Sequence, residues 1–285
     1  MSSVSGTIDF PVGSAIYHTW YKIYGDLKSE CTPLVVVHGG PGMTHHYIPV
    51  IFYDQIGNGA SSLALQEADT FWTPKLFMDE LNNLVEKLGI SGNFNLLGHS
   101  WGGMLVGNYA AERVPKGLKR IIIANAPSAI DLYERGTRKL LNQFPDNFAD
   151  MLQKHELEGT MDSSEFQEGM MKFNQKHICT VDPWPQNLIQ SFNAVQQNPH
   201  VYSTMWGHTD WNITGTLRGW SVVDILPCIK AKTLLISAPF DEVQDIAVQP
   251  WFSRVSQVKW VELQNSTHLP QFEEPERYHI DNLYP

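Results

Sequence analysis

Leu96-Leu97-Gly98-His99-Ser100-Trp101-Gly102-Gly103-Met104-Leu105 is the stretch that decides the fold. The apolar run 94–97 predicts a short strand, and after Gly103 apolar and small residues recur at helical spacing (Met104, Leu105, Tyr109, Ala110). Between strand and helix stands Gly-x-Ser-x-Gly. A strand that turns sharply into a helix strains its apex residue, and Gly98 and Gly102 remove side chains that would clash there. Ser100 is then presented at a helix N-terminus, at the top of the sheet. The five-residue pattern alone arises in roughly one random chain in ten of this size; the strand before it and the helix after it give it weight.

Working outward, the 285 residues suffice for one large α/β domain or a domain with an insertion. Hydrophobic residues at 42% and charged residues at 18% describe a globular chain. The net charge of −10, with no Lys/Arg cluster expected, argues against nucleic acid or an anionic membrane as partner and is compatible with a cationic substrate group. Cys31, Cys179 and Cys228 are scattered, with neither zinc spacing nor a disulfide framework. No signal-peptide pattern opens the chain, so the expected location is cytoplasmic, with no metal and no cofactor.

Residues 6–12 and 15–24 alternate apolar with polar and predict an antiparallel hairpin at a sheet edge. The runs 34–37, 50–53, 120–124, 233–237 and 257–263 predict further strands, the first three apolar enough to be buried on both faces. Thr73-Pro74 starts a helix, threonine as cap and proline at the first helical position. From 127 to 218 such runs vanish and helical segments such as 131–141 and 166–173 take over. The expected organisation is a mostly parallel, doubly wound α/β core (1–126 and 219–285) carrying a helical cap (127–218). Ligands in such sheets bind at the carboxyl ends of the strands. The link 39–50 is unusually short for a crossover between parallel strands. A missing helix there would leave one flank of the sheet beside the Ser100 helix uncovered.

An activated serine needs a base, a group that orients the base, and donors for the oxyanion. The acid should follow a late strand: Asp241 does, with Asp245 as the fallback. The base should follow the last strand: His268 does. Oxyanion donors are expected from the Trp101 N–H and from the His38-Gly39-Gly40 turn, at Gly39 or Gly40. A neutral His268 serving as base gives an acidic limb in kcat/KM near pH ~6.5–7. Taken singly, each of these residues has a bland reading as a turn or a hydrogen-bonded core residue; their order is what singles them out. His45 and His46 are expected to be structural or to line the pocket, and Trp206, Trp211 and Trp220 to fill the cap core.

His38-Gly39-Gly40-Pro41-Gly42, Val50-Ile51-Phe52-Tyr53-Asp54-Gln55-Ile56-Gly57, Gly98-His99-Ser100-Trp101-Gly102-Gly103, Asp241-Glu242, Ser266-Thr267-His268 and Met205-Trp206-Gly207-His208-Thr209-Asp210 together resemble the proline iminopeptidase family of α/β-hydrolase serine peptidases, with its related amino-acid amidases. The resemblance spans nearly the whole chain. It implies the α/β-hydrolase fold and a serine hydrolase that releases an N-terminal amino acid, by resemblance proline, from a small peptide or amino-acid amide. It also implies that two carboxylates bind the substrate's α-amino group: Glu242, and Asp210 where the family usually carries Glu. The family's crossover is normally longer. Two other readings stay open: an amidase or esterase of specialised metabolism on a non-peptide substrate, and a catalytically impaired homologue.

Ser100→Ala is expected to abolish covalent labelling by a fluorophosphonate while leaving the melting temperature unchanged, because it removes one oxygen at an exposed apex. Labelling at the wild-type rate would place the nucleophile elsewhere.

Overall fold

The computed structural model describes residues 3–27, 29, 31–40, 51–145 and 147–278. The chain begins with strands β1 (Ser3–Val12), β2 (Ala15–Tyr24), β3 (Leu34–Val37) and β4 (Ile51–Asp54), then helix α1 (Pro74–Lys87). Strand β5 (Phe94–His99) leads into α2 (Trp101–Glu112), and β6 (Leu118–Ala124) follows. Five helices come next: α3 (Ile130–Leu141), α4 (Phe148–Glu158), α5 (Ser164–His177), α6 (Gln186–Gln197) and α7 (His200–Met205). Then β7 (Lys232–Ser237), α8 (Asp245–Arg254), β8 (Val258–Glu262) and α9 (Pro270–Glu273) complete the core. Residues 275–278 are again helical.

The eight strands form one sheet in the order β1-β2-β4-β3-β5-β6-β7-β8. β1 and β2 form the expected hairpin, turned by Gly13 at φ 58, and β2 meets β4 antiparallel. From β4 to β8 every pairing is parallel. Thr73 caps α1 as its sequence predicts, its hydroxyl accepting from the Leu76 N–H at 3.3 Å, with Pro74 at the first helical position.

The fully apolar strands follow from burial on both faces. Val35 and Val37 pack with Leu81, Met104, Tyr109 and Trp251, beneath α1, α2, α3 and α8. α2 lies deepest, and a Cβ on Gly107 would run into the Trp251 ring of α8. The flank beside α2 is therefore well covered. The smaller cluster lies on the opposite face, where Val36, Phe52, Leu97, Ile122 and Leu234 pack against Tyr278. The short link itself is mostly segment 41–50, which lies outside the described residues, as do His45 and His46.

Between β6 and β7 the helices build their own small cores, around Leu141, Leu152, Phe173 and Trp211 and around Ile178, Cys179, Leu188 and Leu269. The insertion is clasped at its base: Ile130 N–H donates to the Trp220 carbonyl and Val222 N–H to the Ser128 carbonyl. Tertiary folding also makes a feature absent from the linear chain. Exposed Lys116, Lys119, Arg120, Lys230 and Lys232 gather where β6 and β7 begin, a basic cluster that their separation in sequence conceals.

Glu80 on α1 is fully buried and ties two elements of the sheet together. Its carboxylate accepts from the Thr19 hydroxyl of β2 at 2.6 Å and from the Ile56 N–H beyond β4 at 2.9 Å. Burial pushes Glu80 up to about 8, against the pull of these two donors, and Asp54 adds to the push. The folded state thus keeps a proton that the unfolded chain, with its ordinary value of 4.5, gives up earlier. Stability falls as pH rises across that window, from about 4.5 to about 8. Glu80→Gln is expected to flatten this slope, so thermal melts at both ends of the window should show the variant gaining on the wild type at the alkaline end; parallel slopes would contradict it.

Candidate active site

Ser100 stands between the end of β5 and the first residue of α2, at φ 55 and ψ −124, a conformation that ordinary L residues avoid. Two close approaches hold it there. A Cβ on Gly98 would collide with the Gly102 carbonyl, and a Cβ on Gly102 would collide with the Val37 carbonyl of the neighbouring strand. The Ser100 N–H donates to the Ala124 carbonyl at 2.9 Å, anchoring the turn to β6. The Trp101 N–H opens the helix and has no carbonyl one turn behind it to accept it.

His268 and Asp241 meet as their positions after β8 and β7 predict. The His268 Nδ1–H donates to Asp241 Oδ1 at 2.8 Å, whereas Asp245 begins α8. Asp241 is fully buried and its remaining acceptor capacity is used: Oδ1 also takes the Val243 N–H at 2.8 Å, and Oδ2 takes the Asn125 side-chain amide at 2.7 Å. The His268 backbone is fixed from two sides. The His99 Nε2–H donates to its carbonyl at 2.8 Å, and its own N–H donates to the His177 carbonyl, at the end of cap helix α5, at 3.2 Å. The same His177 carbonyl accepts the Glu242 N–H at 3.3 Å, so one cap residue joins both loops. Burial, with the neighbouring His268 imidazolium, drives His99 down to about 3, so it stays neutral.

The glycine turn after β3 is held by a network. Buried His38 accepts the Gln55 N–H at Nε2 at 3.1 Å, which leaves its proton on Nδ1 to donate to the Gly39 carbonyl at 2.8 Å. A trans peptide aims its N–H opposite to its C=O, so the Gly40 N–H faces away from the His38 ring. Gly40, at φ 116, lines the cavity that holds Ser100. The Gln55 side chain donates to the His38 carbonyl at 3.3 Å and accepts the Trp101 indole N–H at 3.0 Å. Gln55 thereby links the turn of β3, the end of β4 and the start of α2.

That cavity, about 260 Å³, has a polar end and an apolar wall. Ser100, His268, Glu242 and Asp210 lie at the polar end, and Met170, Ile178, Phe192 and Leu269 supply apolar lining. Asp210 Oδ1 accepts from the Trp206 indole at 2.9 Å and the Tyr202 hydroxyl at 3.4 Å. Glu242 is buried, its Oε2 without a hydrogen bond of ordinary geometry among the described residues but close enough to the Tyr133 hydroxyl to be steadied by it. Burial and then Asp210 push Glu242 up to about 8. Burial pulls His268 down, but Asp241, Glu242 and Asp210 outweigh it and carry it up to about 9. The shift runs upward from the isolated imidazole behind the limb expected near neutrality. A larger groove of about 580 Å³ runs along the cap, lined by Arg138, Glu156 and Trp211, and holds no triad residue.

The structure thus brings Ser100, Asp241, His268, Gly40, Glu242 and Asp210 to one place, with Gly39 and Trp101 in the turns beside them. Of the three tryptophans expected in the cap core, Trp211 is there; Trp206 lines the cavity, and half-buried Trp220 donates to Asn108 of α2 at 3.2 Å. Sequence reading did not single out Gln55, Asn125, Tyr202 or the bond from His99. Gln55 and His99 lie inside the quoted motifs, and Asn125 directly follows the predicted strand 120–124 at the level of the site.

Residues 32–275 match the family described as alpha/beta hydrolase fold. A proline iminopeptidase of Clostridium botulinum is 31% identical, over 92% of each chain. Among solved structures, that of VinJ is 39% identical with a TM-score of 0.92, covering 98% of this chain and 97% of that one. The proline iminopeptidase of Mycobacterium smegmatis is 32% identical with a TM-score of 0.88 and the same coverage.

Gln55→Leu is expected to lower kcat/KM about 10- to 100-fold, by freeing the glycine turn and leaving the Trp101 indole and the His38 carbonyl unpaired, part of what complete loss of an oxyanion donor costs. Kinetics beside a melt that retains one cooperative transition check this; unchanged kcat/KM would show that the turn is held without Gln55.

Proposed function

The chain belongs to the proline iminopeptidase family of alpha/beta hydrolases and is an aminopeptidase-type hydrolase, and from that premise we propose that it releases an N-terminal amino acid from small peptides or amides through an acyl-enzyme on Ser100. The Ser100 hydroxyl attacks the carbonyl carbon and His268 Nε2 takes its proton. The Gly40 and Trp101 N–H groups hold the oxyanion, with Gly39 shaping the turn. His268 then gives the proton to the leaving amine, and water, deprotonated by the same ring, hydrolyses the ester. Asp241 keeps the imidazole in its working tautomer and balances its charge.

The observation that carries the amine-releasing part of this reading is the pair of carboxylates beside the triad. Glu242 is buried with no more than the Tyr133 hydroxyl to donate to its carboxylate among the described residues, and Asp210 lies in the same cavity. Burial first, and then these carboxylates, push the Tyr133 and Tyr202 hydroxyls well above their ordinary values. A substrate ammonium satisfies these carboxylates, and each charge-assisted bond is worth about 1.5–3 kcal/mol. The likeness to proline iminopeptidases supports proline as the residue released. The same chemistry on an aminoacyl amide with a non-peptide leaving group is the second reading, favoured by the apolar lining of Met170, Ile178, Phe192 and Leu269. The three free cysteines support a cytoplasmic setting.

Comparing a prolyl 4-nitroanilide with its N-acetyl derivative tests the reading. The free amine is expected to give kcat/KM at least about 100-fold higher, the worth of two charge-assisted bonds at the lower end of their range. Equal rates would leave a serine hydrolase that does not read the amine, and no turnover with no fluorophosphonate labelling would favour an inert site.

A further inference from the structure

His268 lines the same cavity as Ser100, and its Nε2 edge faces Glu242. Glu242 Oε1 lies 3.8 Å from the Nε2 that is to take the Ser100 proton. A charged imidazole at that distance forms an ion pair with Glu242 and has no lone pair left for a serine proton. We propose that in the empty site Glu242 keeps His268 protonated at Nε2 and so idle, and that a substrate ammonium seated between Glu242 and Asp210 releases this proton to solvent and frees the base. The inference rests on the amine-binding reading and deepens it: the free amine is sensed by the catalytic base as well as by the binding pocket.

The surroundings of His268 favour this. Asp241 and Glu242 approach it from the turn after β7, and Asp210 from the segment after α7. His99, at the end of β5, packs its ring 4.8 Å from the His268 ring and is neutral. His177, from α5, binds the His268 backbone, and burial lowers its basicity. Tyr133 from α3 and Tyr202 from α7 stay protonated beside the acid pair. Three carboxylates thus act on one imidazole. Glu242 holds its proton up to about pH 8 and His268 up to about 9, so the charged pair forms between these values and the cluster titrates as a unit. A cation seated on the two pocket carboxylates displaces protons from both. The proton leaving His268 Nε2 goes to water, and the freed lone pair then accepts the Ser100 proton as Oγ bonds to the carbonyl carbon. A substrate without an ammonium finds the same serine beside an occupied base. Glu242 is thereby a specificity-determining residue through its action on His268, in addition to its contact with substrate.

The test uses two substrates, 4-nitrophenyl acetate, which has no amine, and prolyl 4-nitroanilide, with wild type, Glu242→Gln and Asp210→Asn across the pH range. In the wild type the acetate ester should show its acidic limb near pH 9, the value of the free site. Glu242→Gln should move that limb down by about one pH unit, which raises ester turnover severalfold between about pH 8 and 9, where Glu242 is ionised beside a charged His268, even as prolyl turnover falls. Asp210→Asn should move it in the same direction by less. For the prolyl substrate the acidic limb in kcat should lie about one unit or more below the ester's, because kcat reports the occupied site. Circular dichroism melts confirm that each variant is folded. An ester limb unmoved by Glu242→Gln, with prolyl turnover still lost, overturns this inference and leaves the amine-binding reading standing. A limb that moves, in an enzyme that handles free and N-acetylated prolyl anilides alike, upholds the hold of Glu242 on His268 and overturns the amine-binding reading together with release by ammonium.

Discussion

The 2.8 Å hydrogen bond from His268 to Asp241 is the interaction around which the upper end of the sheet is arranged. A carboxylate with no exposure is tolerated only where its oxygens are fully served. The fold serves them from three directions: Asn125 from the end of β6, Val243 from its own turn, and His268 from the loop after β8. Each donor arrives at the carboxyl end of a parallel strand, so the sheet's register places them. The cap takes part as well. The last residue of α5 accepts both the Glu242 and the His268 N–H, so displacing the cap loosens the acid turn and the base loop together.

Electrostatics gives the cavity its character. Asp210, Glu242 and Asp241 crowd one imidazole, and among the described residues no Lys or Arg lines the cavity. The result is a site whose protonation depends on its occupant. In the proposed mechanism a cationic substrate completes the charge balance that the protein alone leaves unfinished. This frustration is local. The rest of the core is close-packed and mostly apolar on the α2 side, with Glu80 a further buried carboxyl, held by donors from β2 and from beyond β4.

How much was legible in the sequence follows from how local each signal is. The Ser100 turn could be read because strand, glycines and helix are contiguous. Asp241 and His268 could be read because chain order and strand ends fix their place. The hairpin of β1 and β2 and the Thr73 cap are likewise decided by neighbouring residues. Gln55 could not be assigned a task, since its partners His38 and Trp101 come from two other strand ends and only the assembled sheet brings them together. Asn125 reads as the polite end of an apolar strand until Asp241 is seen beside it. Trp206 resembles any cap tryptophan until its indole is found on Asp210. The shift of His268 depends on carboxylates 26 to 58 positions away in sequence and lies beyond any motif.

The account's central claim is that Ser100 reacts under the control of a free amine. The most direct measurement is the rate at which a pyrrolidine-2-phosphonate diphenyl ester modifies the protein, against its N-acetyl form, with the adduct located by peptide mass spectrometry. The account predicts an adduct on Ser100 that forms at least about tenfold faster with the free amine, the worth of one charge-assisted bond. Equal rates for the two phosphonates, or an adduct on any other residue, would contradict it.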